Sequence, residues 1–412
     1  MTEIKKVASR EILDSRGNPT VEVSLTTEDG VFVASVPSGA STGKHEALEL
    51  RDGDERYHGK GVRKAVQNSL DIGKAILGMD VTNQKEIDNT MIEMDGTENK
   101  SNLGANAILP LSMAVCRAGA KAKGQPLYGH IGALFENKKL RLPSPFLNVV
   151  NGGEHAGNDL DIQEFMIVPE TTFMESIRMA SETYVTLKKL IKEKYGKNAI
   201  NVGDEGGFAP PIDKTRDVLD LLMAAISENG YEGDIKIAID AAASEFYKDG
   251  KYNYQGKPLN FEEMIDEYKD IAETYPIVSL EDPMSEDDWP GWSALNKEIG
   301  EKVQIVGDDL LVTNPKRIEK ALEKNACNAL LLKINQIGTI TEALKAASLA
   351  KNNKWGTMVS HRSGETTDNF ISDLAVGLGC GQIKSGASCR GERVSKYNRL
   401  LKIEEIIRVP EE

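Results

Sequence analysis

The sequence predicts an α/β protein: a (β/α)8 TIM-type barrel over residues 141–412, preceded by a smaller α+β unit over residues 1–133. Three observations lead there. The 412 residues, 40% of them hydrophobic, suit two or three domains with sizeable cores. From Lys236 onward, short apolar runs recur and alternate with helical patterns. Each run ends on a titratable residue: Asp240, Glu281, Asp308, Lys333, His361 and Lys384, which lie 41, 27, 25, 28 and 23 positions apart. An eight-fold barrel of about 250 residues averages roughly 31 per unit. A doubly wound sheet alternates in the same way, so the spacing alone leaves both open. The titratable residues favour the barrel, which builds its site at the C-terminal ends of its strands.

In the first unit, Val21 to Val36 alternates apolar and polar residues around Glu28-Asp29-Gly30, which predicts a β-hairpin. Val62, Val66, Leu70, Ile76 and Leu77 keep helical spacing up to Gly78, and a second, small-residue-rich helix is expected from Asn106 to Lys123. Phe135 to Pro145 is polar and basic, carries Pro143 and Pro145, and is the expected domain boundary. Further on, Asn314-Pro315 supplies an N-cap and a first-turn proline for a barrel helix.

Sixty-four Asp and Glu against fifty Lys and Arg give a net charge of −14. That excess argues against a nucleic-acid binder and against docking on anionic lipid. No apolar run approaches the roughly 20 residues of a membrane span. The N-terminus, Met1 to Lys6, lacks the apolar core of a secretory signal. A soluble, cytoplasmic protein is expected. The four cysteines are scattered without zinc spacing, and histidines number only five. Carboxylates and lysines must therefore carry any chemistry.

Asp240, Glu281 and Asp308 each follow an apolar run, where an unpaired carboxylate is costly to bury. Each alone reads most simply as a helix cap or loop acid. Three at matching positions would instead form an all-oxygen cage suited to Mg²⁺. Lys333 and Lys384 end two later strands. A lysine beside a metal and a second cation should have a lowered pKa and so serve as a base; a lysine paired to one of the acids is the commoner case. Two glycine-rich loops hold His155 (Asn151 to Asn158) and Glu205 (Gly203 to Pro211), and Gln163-Glu164 opens a further strand. Glu205 is a candidate acid, with Glu164 near enough to raise one of the two pKa values. Arg362 and Ser363 read as an anion grip for phosphate. Ser360 to Lys402 carries seven cations against four anions, a local +3. A basic helix face through Arg393, Lys396 and Arg399 explains part of it. Ser38 to Lys44 is not a P-loop: only three residues separate its glycines, and His45 follows the lysine. A lid bringing a hydroxyl is the better reading.

Taken together, these residues resemble the enolase family along essentially the whole chain. The resemblance rests on Asp14 to Thr20, Ser38 to Gly43, the loops of His155 and Glu205, and Ser279 to Pro283. It continues through Val306 to Leu310, Lys333 to Gly338, Ser360 to Glu365 and Gly381 to Lys384. It implies an α+β domain capping a modified barrel whose early strands depart from strict alternation. The implied reaction is the Mg²⁺-dependent interconversion of 2-phosphoglycerate and phosphoenolpyruvate. Asp240, Glu281 and Asp308 would hold a structural Mg²⁺, and Ser41 would help bind a second that arrives with substrate. Lys333 would be the base at C2 and Glu205 the acid at the C3 hydroxyl, assisted by Glu164. His155 and His361 would be active-site histidines. Gln163, Arg362, Ser363 and Lys384 would contact substrate, the last through its carboxylate. The family also implies a homodimer, or an octamer assembled from dimers, and admits a cell-surface pool. Thr367 and Gly391 stand where the family commonly has an acid and a serine; the first bears on what supports His361. Two other readings are a related racemase or dehydratase acting on another carboxylate, and a non-catalytic binding scaffold. Ser41 with Arg362 and Ser363 argues against the first, and Lys333 with Glu205 against the second.

Overall fold

The computed structural model describes residues 1–39, 43–153 and 156–408. The chain begins with an antiparallel sheet in the order β1 (Lys6–Leu13), β2 (Pro19–Thr27), β3 (Gly30–Ser35). The expected hairpin is β2–β3; β1 adds a strand to it. Strand alternation buries Val21, Val23 and Leu25 on one face. Against the sheet pack α1 (Arg63–Ala75) and α3 (Ala105–Ala122), and α2 (Gln84–Asp95) and α4 (Leu127–Leu134) lie on α3. The small residues of α3 let it lie close on β2 and β3.

After the basic stretch the barrel begins with β4 (Ser144–Asn151) and β5 (Glu164–Pro169). Two helices follow, α5 (Phe173–Tyr195) and α6 (Thr215–Glu228), then β6 (Ile235–Asp240). A small antiparallel sheet, β7 (Tyr247–Lys248), β8 (Lys251–Tyr254) and β9 (Lys257–Leu259), precedes α7 (Phe261–Thr274). Strict alternation takes over with β10 (Ile277–Glu281), α8 (Trp289–Ile299), β11 (Gln304–Gly307) and α9 (Pro315–Lys324). It continues through β12 (Ala329–Leu332), α10 (Ile340–Asn352), β13 (Gly356–Ser360), α11 (Phe370–Leu378), β14 (Gly381–Lys384) and α12 (Gly391–Arg408). Each of the six expected strand runs is a barrel strand. The Asn314 side chain accepts from the Lys316 amide at 3.0 Å, the cap expected before Pro315.

The barrel closes in the order β10-β11-β12-β13-β14-β4-β5-β6. Every neighbouring pair is parallel except those made by β5, which runs antiparallel to β4 and β6. This is the modified alternation that the resemblance implies. Its consequence is local: the first residue of β5, Glu164, lies at the barrel end where the other strands finish, opposite Asp240.

Candidate active site

The period of two along a strand sets the site. A floor of Phe146, Met166, Ala238, Val306, Leu331 and Met358 fills the barrel interior. Two positions on, on the same face, stand Asn148, Asp240, Asp308, Lys333 and Ser360. On the reversed β5, Glu164 lies two positions back from Met166. Thus an apolar layer is topped by polar side chains at the C-terminal mouth. One cavity there is lined by Gln163, Glu164, Glu205, Asp240, Asp308, Lys333, His361, Arg362, Ser363 and Lys384. Glu281 is buried beside Asp240 and Lys384. Ser41 and His155 lie outside the described residues.

Lys384 is the cationic centre of this mouth. Its Nζ lies 2.8 Å from Asp240 Oδ2, 2.8 Å from Glu281 Oε1 and 3.0 Å from Glu164 Oε2. Burial opposes its charge, but the three carboxylates outweigh burial and hold its pKa well above the usual lysine range. Glu164 and Glu281 are pushed well up, first by burial, then by the neighbouring Glu205 and Asp240 respectively. One carboxyl of the Glu164–Glu205 pair is therefore raised, as expected, and Glu164 shows it.

Lys333 pairs with Asp308. The expected lowering is that of a lysine beside a bound Mg²⁺. Burial disfavours the ammonium, but Asp308 more than compensates, so the Lys333 pKa is raised in the protein alone. The lowering was argued from neighbouring cations, and the nearest charge is an anion.

Glu205 is held by its loop. Gly206 adopts φ +90°, a left-handed turn that suits glycine. A Cβ at Gly207 would lie 2.3 Å from Asn151 Oδ1, so that glycine admits β4 rather than a ligand. The backbone of Ala387 donates to Glu205 O at 2.9 Å. The Asn148 amide donates to Glu205 Oε2 at 3.1 Å. His361 Nε2 faces the same oxygen at 3.5 Å.

Arg393 orients that histidine. Its Nη1 is 2.6 Å from His361 Nδ1. A guanidinium only donates, so Nδ1 must accept. Burial pushes the His361 pKa down to about 3, so the neutral ring carries its proton on Nε2, towards Glu205. Arg393 also donates to Arg362 O at 2.5 Å, Ser363 O at 2.6 Å and Asp204 O at 3.0 Å. It is fully buried, as is Lys396, whose Nζ donates to Glu365 Oε2 at 2.8 Å. Arg399 pairs with Asp373. The expected basic helix face is therefore an inward one. Thr367 is exposed and Gly391 has open space around it, so support for His361 comes from Arg393.

The first unit reaches into the mouth. Arg362 donates from Nη1 to Glu46 Oε2 at 2.9 Å and to Asn335 Oδ1 at 2.9 Å. Ser38 and Gly364 exchange backbone hydrogen bonds of 2.7 and 2.9 Å. Asp14 accepts from the Ser38 hydroxyl at 2.6 Å. A Cβ on Gly364 would meet the Ser38 and Asp14 oxygens at 2.4 and 2.6 Å, so glycine is required for this contact. The segment leading to Ser41 is thus fastened to the loop of Arg362 and Ser363.

The donor chemistry fits a hard divalent cation. Among the described residues, Asp282, Asp308 and Asp309 bring carboxylate oxygens within 4.8 Å of one another. Glu281 Oε2 is buried with no hydrogen-bond partner among the described residues, an acceptor that a cation would satisfy. The Asp282 oxygens accept from the amides of Asp308 and Asp309 at 2.9 and 2.7 Å, which fixes the turn bearing Asp308. All donors are oxygen, as Mg²⁺ prefers.

Comparison with known proteins places this geometry. The model of the enolase N-terminal domain matches residues 4–131, and that of the enolase C-terminal TIM barrel domain matches residues 139–409. The chain belongs to the enolase family. It is 56% identical to Enolase 1 of Entamoeba histolytica, over 98% of this chain and 96% of that protein. It is 58% identical to the enolases of Methanopyrus kandleri and Thermococcus kodakarensis, again over 98% of this chain and 96% and 95% of theirs. As an enolase-family protein it is a hydro-lyase of the phosphopyruvate hydratase type. Glu46, Asp282 and Arg393 were not read from the sequence as parts of this enolase site. None ends an apolar run, and helical spacing does not tell an inward cation from an outward one.

Proposed function

We propose that the mouth binds 2-phosphoglycerate and interconverts it reversibly with phosphoenolpyruvate. Lys333 takes the C2 proton, and Glu205 delivers a proton to the departing C3 hydroxyl, which leaves as water. Removing the C2 proton places a second negative charge on the substrate carboxylate. Collapse of that charge forms the C2–C3 double bond as the hydroxyl leaves. The observation that carries this reading is one buried cavity holding an amine on β12 and an acid pair beside β4, with β13 and β14 between them. Lys384 faces the position where charge builds, and its ammonium costs no reorganisation when it does. His361, fixed by Arg393, and Asn148 orient Glu205. Glu164 assists it by sharing a proton, since two close carboxyls resist joint ionisation. The always-charged Arg362 and the Ser363 hydroxyl grip the phosphate. Gln163 Oε1 is buried and lacks a hydrogen-bond partner among the described residues, so it is available to a substrate hydroxyl.

Asp240, Glu281 and Asp308 would hold a resident Mg²⁺, and Ser41 a second one arriving with substrate; together they would supply charge neutralisation at the carboxylate and draw Asp308 away from Lys333, lowering the lysine pKa. His155 is taken as a further active-site histidine. Units 1–133 and 141–412 are taken as the two domains. The same reading makes the protein a cytoplasmic homodimer, or an octamer assembled from dimers, with neither nucleic acid nor membrane as partner. No described helix is long and apolar enough to cross a membrane.

Isotope exchange separates the two proton transfers. Lys333→Ala should abolish exchange of the C2 proton with solvent. Glu205→Gln should keep that exchange and lose product. Equal loss of both in Glu205→Gln would refute the division of roles.

A further inference from the structure

The enolase reaction leaves one distinctive segment unused, the basic stretch Phe135–Pro145. It folds under the barrel, at the end opposite the active site. With the end of α10 and the starts of β13 and β14 it encloses a cavity of about 330 Å³, a size in the range of small-ligand pockets. Four cations line it, Lys139, Arg141, Lys351 and Lys354, and among the described residues no carboxylate does. In a chain of net charge −14 such a lining is unusual, and it makes the cavity a local trap for anions. Two rings, of Phe135 and Trp355, form walls, and Leu378 and Ala347 lie at its base.

The wall is built rather than loose. Arg141 donates through Nε to Gly379 O at 2.9 Å and through Nη2 to Cys380 O at 3.0 Å. Its Nη1 group remains to donate. A Cβ at Gly381 would lie 2.0 Å from Arg141 Nη2, so the absent side chain makes room for the guanidinium. Asn137 donates to Gly377 O and Lys139 O, both at 3.0 Å, which fixes the turn that carries Lys139. Lys351 Nζ sits 4.7 Å from the centre of the Phe135 ring, a cation–π contact that places its charge at the rim.

We propose that this cleft binds a nucleoside polyphosphate, with the base against Trp355 and the phosphates on Arg141, Lys351 and their neighbours. Cations without carboxylates select a polyanion, and the rings select one with a flat face. Inorganic polyphosphate shares the first property and lacks the second, while a free nucleoside has only the second.

Calorimetry on the full-length protein, without added metal, distinguishes them. ATP should bind saturably, tripolyphosphate at least tenfold more weakly, and adenosine without saturation. Trp355 fluorescence should report the same event, because Trp289 and Trp292 are buried, and Trp355→Phe should remove the signal. Lys139→Gln with Lys354→Gln, both at exposed positions, should weaken ATP at least tenfold and leave phosphoenolpyruvate formation unchanged. Arg141→Gln should act in the same direction. Equal binding of ATP and tripolyphosphate, saturable binding of adenosine, unaltered binding by the lysine variant, or no saturation in the millimolar range would each overturn the proposal.

Discussion

Arg393 spends its charge on carbonyl oxygens and one imidazole, all on the loops that present Glu205, His361 and the phosphate grip. A lysine there keeps the charge but loses the planar fork, so the loops should shift by about 1 Å. Misplacement on this scale costs about 10²-fold in rate. Arg393→Lys should therefore lower kcat by about that factor with KM little changed. Steady-state kinetics at matched thermal stability checks it; an unaltered kcat would remove Arg393 from the account. His361 makes a second prediction. Burial holds its folded pKa near about 3, while the unfolded ring titrates near about 6.5. Between these values the unfolded chain binds the extra proton. This group's contribution is thus present above about pH 6.5 and lost as pH falls, at about 1.4 kcal/mol per unit. His361→Gln should flatten that slope in urea unfolding at pH 6 and pH 4.5, and an identical slope would contradict it. At this scale, Asp240, Asp308, Lys333 and Lys384 were legible because each ends an apolar run. Arg393 was legible only as part of a basic helix face, because its partners come from distant loops.

Strand parity is the element-scale device that assembles the site, since each floor residue holds up the polar residue two positions on. Leu331 lies directly below Lys333 on β12 and is fully buried. Leu331→Ala should cost about 2–5 kcal/mol and should also lower kcat, because Lys333 loses its support. Urea denaturation and kinetics on the same variant test both; a stability loss with full kcat would separate the floor from the site. The six regular strands were legible from their spacing. Strand β4 was not, and β5 was read only by its opening at Glu164, for definite reasons. Pro145 within β4 argued for a linker, yet the barrel accepts it opposite Ile383. Among its described residues the β4–β5 connection carries no α-helix, so it broke the rhythm that revealed the others. The antiparallel run of β5 could not be read from its composition.

Across the whole molecule, the mouth is completed by the first unit. Glu46 grips Arg362, Ser38 pairs with Gly364, and Arg117 of α3 makes a bidentate contact to Asp368, with both bonds at 2.7 Å. Arg117→Gln leaves Asp368 as an uncompensated, nearly buried charge. The expected cost is about 3 kcal/mol, read as a lowered urea midpoint at pH 7; no change would mean that the contact does not join the units. The overall charge of −14 describes the surface, not the site, where Lys333, Lys384 and Arg362 face one cavity. Six acidic side chains line the same cavity, so a multiply charged anionic substrate would meet a favourable field there only with Mg²⁺ bound. The most direct test is the ultraviolet appearance of phosphoenolpyruvate from 2-phosphoglycerate, with Mg²⁺ and after its removal by chelation. Product that forms with Mg²⁺, stops on chelation and returns on Mg²⁺ addition is the predicted result. No product with Mg²⁺ present, or equal product without it, would contradict the account.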